Sequence, residues 1–215
     1  MNLNNVLKKV YMWMFIGLLV TFITGYYVSI NENIVYKIYS TSLYWILSII
    51  ELVLVIVLSA RVGKMNITTS RIMFLIYSFV TGLTFSSIFI AYELSSIIYV
   101  FFIAALLFLV FSAIGYFTKL DLTKMGTFLL MALIGILICS VVNIFVGNGL
   151  FEIIISSISV LVFLGFTAYD VNKIKLLENY YPDENSLAIA GALELYLDFI
   201  NIFIDLLRLF GNNRD

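Results

Sequence analysis

Five polar residues punctuate one apolar stretch near the end of this chain. Glu194, Asp198, Asn201, Asp205 and Arg208 follow one another at intervals of four, three, four and three residues within 187–210. At about 100° per helical residue they fall in one sector of roughly 80°. Ionisable groups inside a bilayer are costly, so they turn towards a protein interior or a water-filled path. An aligned row of acids there points to the passage of cations or protons. Two more acids, Glu51 and Asp170, lie in or at the end of other apolar stretches, and Arg61 closes the stretch that holds Glu51. The chain has no histidine, so any response near neutral pH must come from perturbed carboxylates or another shifted group.

The row admits plainer roles for some of its members. Asp205 would pair with Arg208 one turn later, or Arg208 would reach to water along its own stem. Glu51 is either a pathway acid or a carboxyl satisfied by a structural hydrogen bond. Glu93 and Glu152 read as solvated helix ends, and Asp183 and Glu184 as loop charges. No resident cofactor is expected. Glu51, Glu194, Asn201 and Asp205 are the candidate ion-pathway residues.

These side chains need a scaffold that holds them in a membrane. The chain has 215 residues, 63% of them hydrophobic and 12% charged, with a mean hydropathy of +1.10. Segments 11–30, 42–60, 72–92, 97–117, 125–146, 151–170 and 187–210 are each long enough to cross about 30 Å of hydrocarbon. The sixth could run on through Ile174–Leu177, since Pro182 is the first firm stop. The spans lack period-two alternation, which argues against a β-barrel. Links are short and no repeat is visible, so residues 1–215 read as a single seven-helix domain. The first span follows Lys8 and Lys9 but has no small-residue cleavage site. A net charge of −1 and the absence of a basic cluster argue against a nucleic-acid partner. The single cysteine, Cys139, permits no internal disulfide.

Orientation follows from the basic residues. Lys8, Lys9, Arg61, Lys64, Arg71, Lys119, Lys124, Lys173 and Lys175 lie on the side of the N-terminus, and Lys37, Arg208 and Arg214 on the other. The N-terminus is therefore expected in the cytoplasm and the C-terminus outside. Tyr26, Tyr27, Tyr36, Tyr39, Tyr44 and Trp45 around the first outer loop, and Tyr180 and Tyr181 at the inner one, fit interfacial aromatic belts. Ser78, Gly82 and Ser86 form a small-residue face that would let the third span approach a neighbour closely.

Two local motifs resemble a known family. Ala168-Tyr169-Asp170-Val171-Asn172-Lys173-Ile174 is similar to the YDxxxI segment of the Bax inhibitor family. The run from Ala192 to Phe203, ALELYLDFINIF, resembles that family's ALxLYLDFxNxF signature, and Leu206 to Gly211 continues it. Length and span number fit the compact bacterial, YetJ-type branch. The resemblance implies an all-α membrane protein of seven helices, the last central and wrapped by the other six, in the bacterial inner membrane. It implies a passive, pH-sensitive calcium leak, with calcium and protons as ligands and the lipid bilayer as surroundings. The residues matching the family's aspartate pair, Asp170 and Asp198, would be the pH sensor. Calcium takes about six to eight oxygen ligands, and the chain contains no EF-hand loop. With Asp170 and Asp198 as metal-facing acids, Asn201 as a neutral ligand and water, the implied Ca²⁺ site would be weak and transient, which suits permeation because an ion must also leave. Arg61, at the cytoplasmic end of the second span, is the nearest match to the family's latch arginine. Where the family loop carries adjacent basic residues, Val62, Gly63 and Lys64 follow here.

The electrostatics of such a pair are general. Two carboxylates brought close in a low-dielectric interior do not both ionise cheaply, so they share a proton and titrate as a coupled pair. A nearby arginine favours the ionised form. Protonation would then release an Arg61 contact and free a cytoplasmic gate. Other readings use the same acids or none of them. A proton-coupled cation exchanger would return protons for each ion moved. A non-conducting protein would act on an unknown protein partner, such as a membrane protease or a stress response. Intramembrane aspartyl proteolysis is disfavoured, because Leu195-Tyr196-Leu197-Asp198 lacks the GxGD motif and no Pro-Ala-Leu follows. A retinal protein needs a lysine in the last span, and 187–210 has none. No enzymatic activity is expected.

Overall fold

The computed structural model describes residues 3–177 and 183–214. Eight α-helices follow in order: α1 (Leu3–Ser29), α2 (Glu32–Tyr39), α3 (Leu43–Arg61), α4 (Ile67–Ala91), α5 (Leu94–Phe117), α6 (Thr123–Val146), α7 (Gly149–Leu177) and α8 (Glu184–Phe210). All but α2 are long and apolar enough to cross a membrane. The shortest, α3, has 19 residues, which at ~1.5 Å per residue covers the hydrocarbon thickness. The protein is an all-α membrane protein with seven spans.

Local chemistry sets the helix ends. The Asn66 side chain accepts the Thr68 N–H to start α4. The Asn148 side chain accepts the N–H groups of Leu150 and Phe151 to start α7. Gly147 ends α6 in the left-handed region at φ 64°, a conformation that only glycine adopts freely. The α6–α7 link is thus two residues long.

Several limits differ from the sequence expectation: α4 begins at Ile67 and α8 at Glu184, against 72 and 187 from sequence. The first helix begins at Leu3, because Val6, Leu7 and Val10 are buried on both sides of Lys8 and Lys9. The sixth span does run on past Asp170 to Leu177, with Val171, Asn172 and Ile174 buried. The link between the first two spans holds a two-turn helix, α2, too short to register as a membrane-length segment. Asn31 caps it through the Ile34 N–H, and Ile38 is its buried residue. The expected inner aromatic belt at Tyr180 and Tyr181, and the stop at Pro182, lie outside the described residues.

Packing divides the chain into two compact units. The first comprises the described residues of Met1–Glu93, Leu177–Tyr196 and Asn213–Asp215, and the second Leu94–Leu176 with Leu197–Asn212. In the first unit the Ser78–Gly82–Ser86 face of α4 is buried. A Cβ at Gly82 would come within 2.6 Å of the Thr24 Cβ and 2.9 Å of the Thr21 carbonyl on α1. The small face therefore permits close α1–α4 contact, as its spacing predicts. Phe22 packs edge-on against Phe85 at 5.4 Å beside it. In the second unit a Cβ at Gly115 of α5 would run into the Ala168 backbone of α7. Phe199 of α8 stacks edge-on with Phe101 and Phe108 of α5.

Burial ranks the spans. The apolar stretch of α8 is 78% buried, against 44% or less for the other six and 6% for α3 and α6. That is the burial a core helix requires, and α3 and α6 present lipid-facing surface such as Phe145, which is 85% exposed.

Candidate functional site

The polar stripe of α8 resolves into side chains with different partners. Glu194, in the first unit, is half-buried. Asp198 and Asp205, in the second, are 4% and 5% exposed. The Asn201 amide donates to the Leu197 carbonyl one turn back, at 2.7 Å. Arg208 donates to Asp205 at 3.2 Å, with its own side chain 47% exposed. The pair expected from their spacing is present, and the arginine reaches outward from it. Ser159 and Ser156 of α7 are the other polar neighbours of the Asp205 carboxyl. Both serines are buried.

Asp170 is 6% exposed on α7, within the same unit as Asp198. The helix continues beyond it to Leu177. Asn172, two residues past Asp170, accepts the Leu122 N–H at 3.2 Å and donates to the Leu120 carbonyl at 3.3 Å. Lys175 donates to the carbonyls of Tyr116 at 2.6 Å and Thr118 at 3.3 Å. It thereby satisfies acceptors left open at the C-terminus of α5. These two side chains fasten the α5–α6 link to α7 and hold its last turns as helix. The sequence reading used Lys173 and Lys175 only as orientation charges. Asn172 inside the YDxxxI segment was the available signal for this clasp.

Glu51 has a specific partner in the first unit. Thr84 of α4 donates its hydroxyl to the Glu51 carboxylate at 2.8 Å, so the structural hydrogen bond weighed for this acid exists. Nearby, the Tyr196 hydroxyl meets the Thr21 hydroxyl at 2.6 Å, and Thr21 also donates to the Ser78 carbonyl. Tyr196 is fully buried, edge-on to Phe74 and Tyr77 at 5.8 Å each. A buried hydroxyl without a partner is costly, and Thr21 is the residue that removes that cost. No spacing in the sequence links positions 21 and 196.

Arg61 is exposed at the end of α3 and belongs to the first unit. A single 3₁₀ turn, Val62–Lys64, follows it. The two charges read as loop residues have structural duties. Asp183 accepts the N–H groups of Asn185 and Ser186 and the Ser186 hydroxyl, capping α8. Glu184 pairs with Lys9 of α1 at 3.0 Å. Their position at a helix start, where acids find free N–H groups and the positive end of the dipole, is the physical reason. Among the described residues no three or more carboxylate, cysteine or histidine side chains converge on a point that would hold a metal ion.

A profile of the family described as inhibitor of apoptosis-promoting Bax1 matches residues 3–215. The inner membrane protein YbhL of Escherichia coli K12 is 41% identical over 219 residues, covering 99% of this chain and 94% of that one. A protein of Borreliella burgdorferi is also 41% identical, over 217 residues, with the same coverage. A membrane protein of Streptococcus pyogenes serotype M1 is 36% identical over 217 residues, covering 99% of this chain and 94% of that one. With matches that run the length of the chain, the protein belongs to the Bax inhibitor family of membrane proteins.

Proposed function

We propose that the protein forms a pH-sensitive leak for calcium or similar cations, with Asp170 and Asp198 as a coupled protonation pair. The observation that carries this reading is the burial of both aspartates, on α7 and α8, inside one compact unit of a membrane protein. Ionisable residues at such depth are expensive to keep and mark ion or proton routes. In this reading Glu51 and Glu194 are further pathway acids and Asn201 a neutral ligand. Asp205, neutralised by Arg208, is a charged plug at the outer end. The family resemblance offers Arg61 as the latch arginine. The ion is substrate, held weakly by scattered oxygens and water, and no catalytic step is involved. By likeness to YbhL, whose name places it in an inner membrane, this protein works in the bacterial inner membrane with its N-terminus in the cytoplasm.

The test is Ca²⁺ efflux from proteoliposomes at a series of values from roughly pH 6 to 8. The wild type should show a pH-dependent flux that Asp170→Asn and Asp198→Asn each flatten. Unchanged pH dependence in both variants removes the sensor assignment. No flux at all from the folded wild type removes the leak and favours action on a protein partner. Stoichiometric proton counter-movement in the same vesicles would identify an exchanger built from these acids.

A further inference from the structure

A cavity of about 630 Å³ opens in the first unit at the ends of α1 and α4. It is lined by Ser29, Glu32, Asn33, Tyr36, Tyr39 and Arg214, among others. Its volume is in the range of small-ligand sites. The walls are held by fixed elements. Glu32 lies in the first turn of α2, and α2 is anchored by buried Ile38 and by the Tyr39 hydroxyl on Ser86 at 2.9 Å. Arg214 comes from the C-terminal tail, which pairs back on the end of α4. Asn213 bridges to Tyr92, and the Arg214 N–H donates to the Ala91 carbonyl at 2.9 Å.

Two features identify the occupant. First, the cavity carries one carboxylate and one guanidinium from separate walls, and among the described residues Glu32 and Arg214 form no ion pair with each other or with another side chain. A purely anionic ligand would be repelled by Glu32 and a purely cationic one by Arg214, whereas a ligand with both charges satisfies both. Secondly, the cavity lies where two membrane spans end, with exposed Tyr36 in its lining and exposed Tyr26 one turn before Ser29 on α1. Aromatic side chains of this kind sit at the headgroup layer.

We propose that this cavity binds a zwitterionic phosphate–ammonium headgroup, that of phosphatidylethanolamine in the surrounding bilayer. Arg214 takes the phosphate, by the forked hydrogen bonding that guanidinium offers, and Glu32 takes the primary ammonium. Asn33 and Tyr36 supply neutral donors at the rim. The site is independent of the leak and of its acids.

The experiment is native mass spectrometry of the full chain with defined mixtures of phosphatidylethanolamine and phosphatidylglycerol. A parallel arm adds free phosphoethanolamine as competitor. The wild type should retain phosphatidylethanolamine preferentially. Arg214→Gln should weaken that retention about tenfold, the loss of one charge-assisted contact. Glu32→Gln should move the preference towards phosphatidylglycerol, because the guanidinium remains while the repelling carboxylate is gone. A merely structural role for Glu32 would not change headgroup choice. Absence of preference in the wild type, or the same preference in both variants, overturns the assignment. Complete displacement by free phosphoethanolamine at equal concentration would make a soluble zwitterion the ligand and overturn the bilayer source.

Discussion

Tyr196 shows how a residue inside a recognisable motif can owe its place to packing. Its ring is enclosed by Phe74 and Tyr77 and its hydroxyl by Thr21. Tyr196→Phe removes one partner and leaves the Thr21 hydroxyl its bond to the Ser78 carbonyl. The variant should lose about 1 kcal/mol of stability, read by unfolding in detergent. Thr21→Val should cost more, since it leaves the buried Tyr196 hydroxyl without that acceptor or donor. The motif named position 196, but nothing in its spacing named position 21. By contrast, the Asp205–Arg208 pair was legible, because one helical turn brings the third residue on alongside the first. The aspartates at 170 and 198 were legible as costly charges in apolar surroundings.

At the scale of helices, two glycines differ in what a side chain would meet. A Cβ at Gly115 would strike the Ala168 backbone, which cannot swing aside, whereas a Cβ at Gly135 meets nothing within 4 Å. Gly115→Ala should therefore lower the yield of folded protein sharply, and Gly135→Ala should leave it unchanged, as judged by size-exclusion profile and thermal unfolding. The start of α8 supplies a pH-dependent term. The Ser186 hydroxyl and N–H hold the Asp183 carboxyl below its ordinary value. A depressed folded value means stability present above the unfolded value near 3.8 and lost as pH falls through the folded one. Asp183→Ala should cost about 1 kcal/mol at neutral pH. The gap from wild type should close as the medium is acidified below the carboxylate range. Helix existence was readable from apolar length, and the run-on of α7 from the position of Pro182. The two-turn α2 was not, because eight residues carry no membrane-length signal.

For the whole chain, orientation is the property most open to measurement. Nine basic residues on one side against three on the other predict that the N-terminus lies inside. In a Cys139→Ser background, Asn213→Cys should react with an impermeant maleimide in intact cells and Asn4→Cys should react only after permeabilisation. The reverse pattern would invert every assignment of inner and outer ends. The exposure of apolar side chains on α3 and α6 has the same origin as the hydropathy that revealed them. In lipid, burial of an apolar face is not what drives helix association, so small residues and polar contacts do that work.

Composition and hydropathy were enough for the class of protein, the number of spans and their rough limits, because a bilayer imposes length and apolarity on each crossing segment alone. The periodic polar stripe was enough to show that α8 turns one face away from lipid, since charged groups cannot face lipid cheaply. The partners of those charges were a different matter. That Glu51 meets Thr84, that Glu184 meets Lys9, and that Asn172 and Lys175 clasp the α5–α6 link depend on residues far apart in the chain. Only the folded packing of one helix against another brings such groups within hydrogen-bond reach.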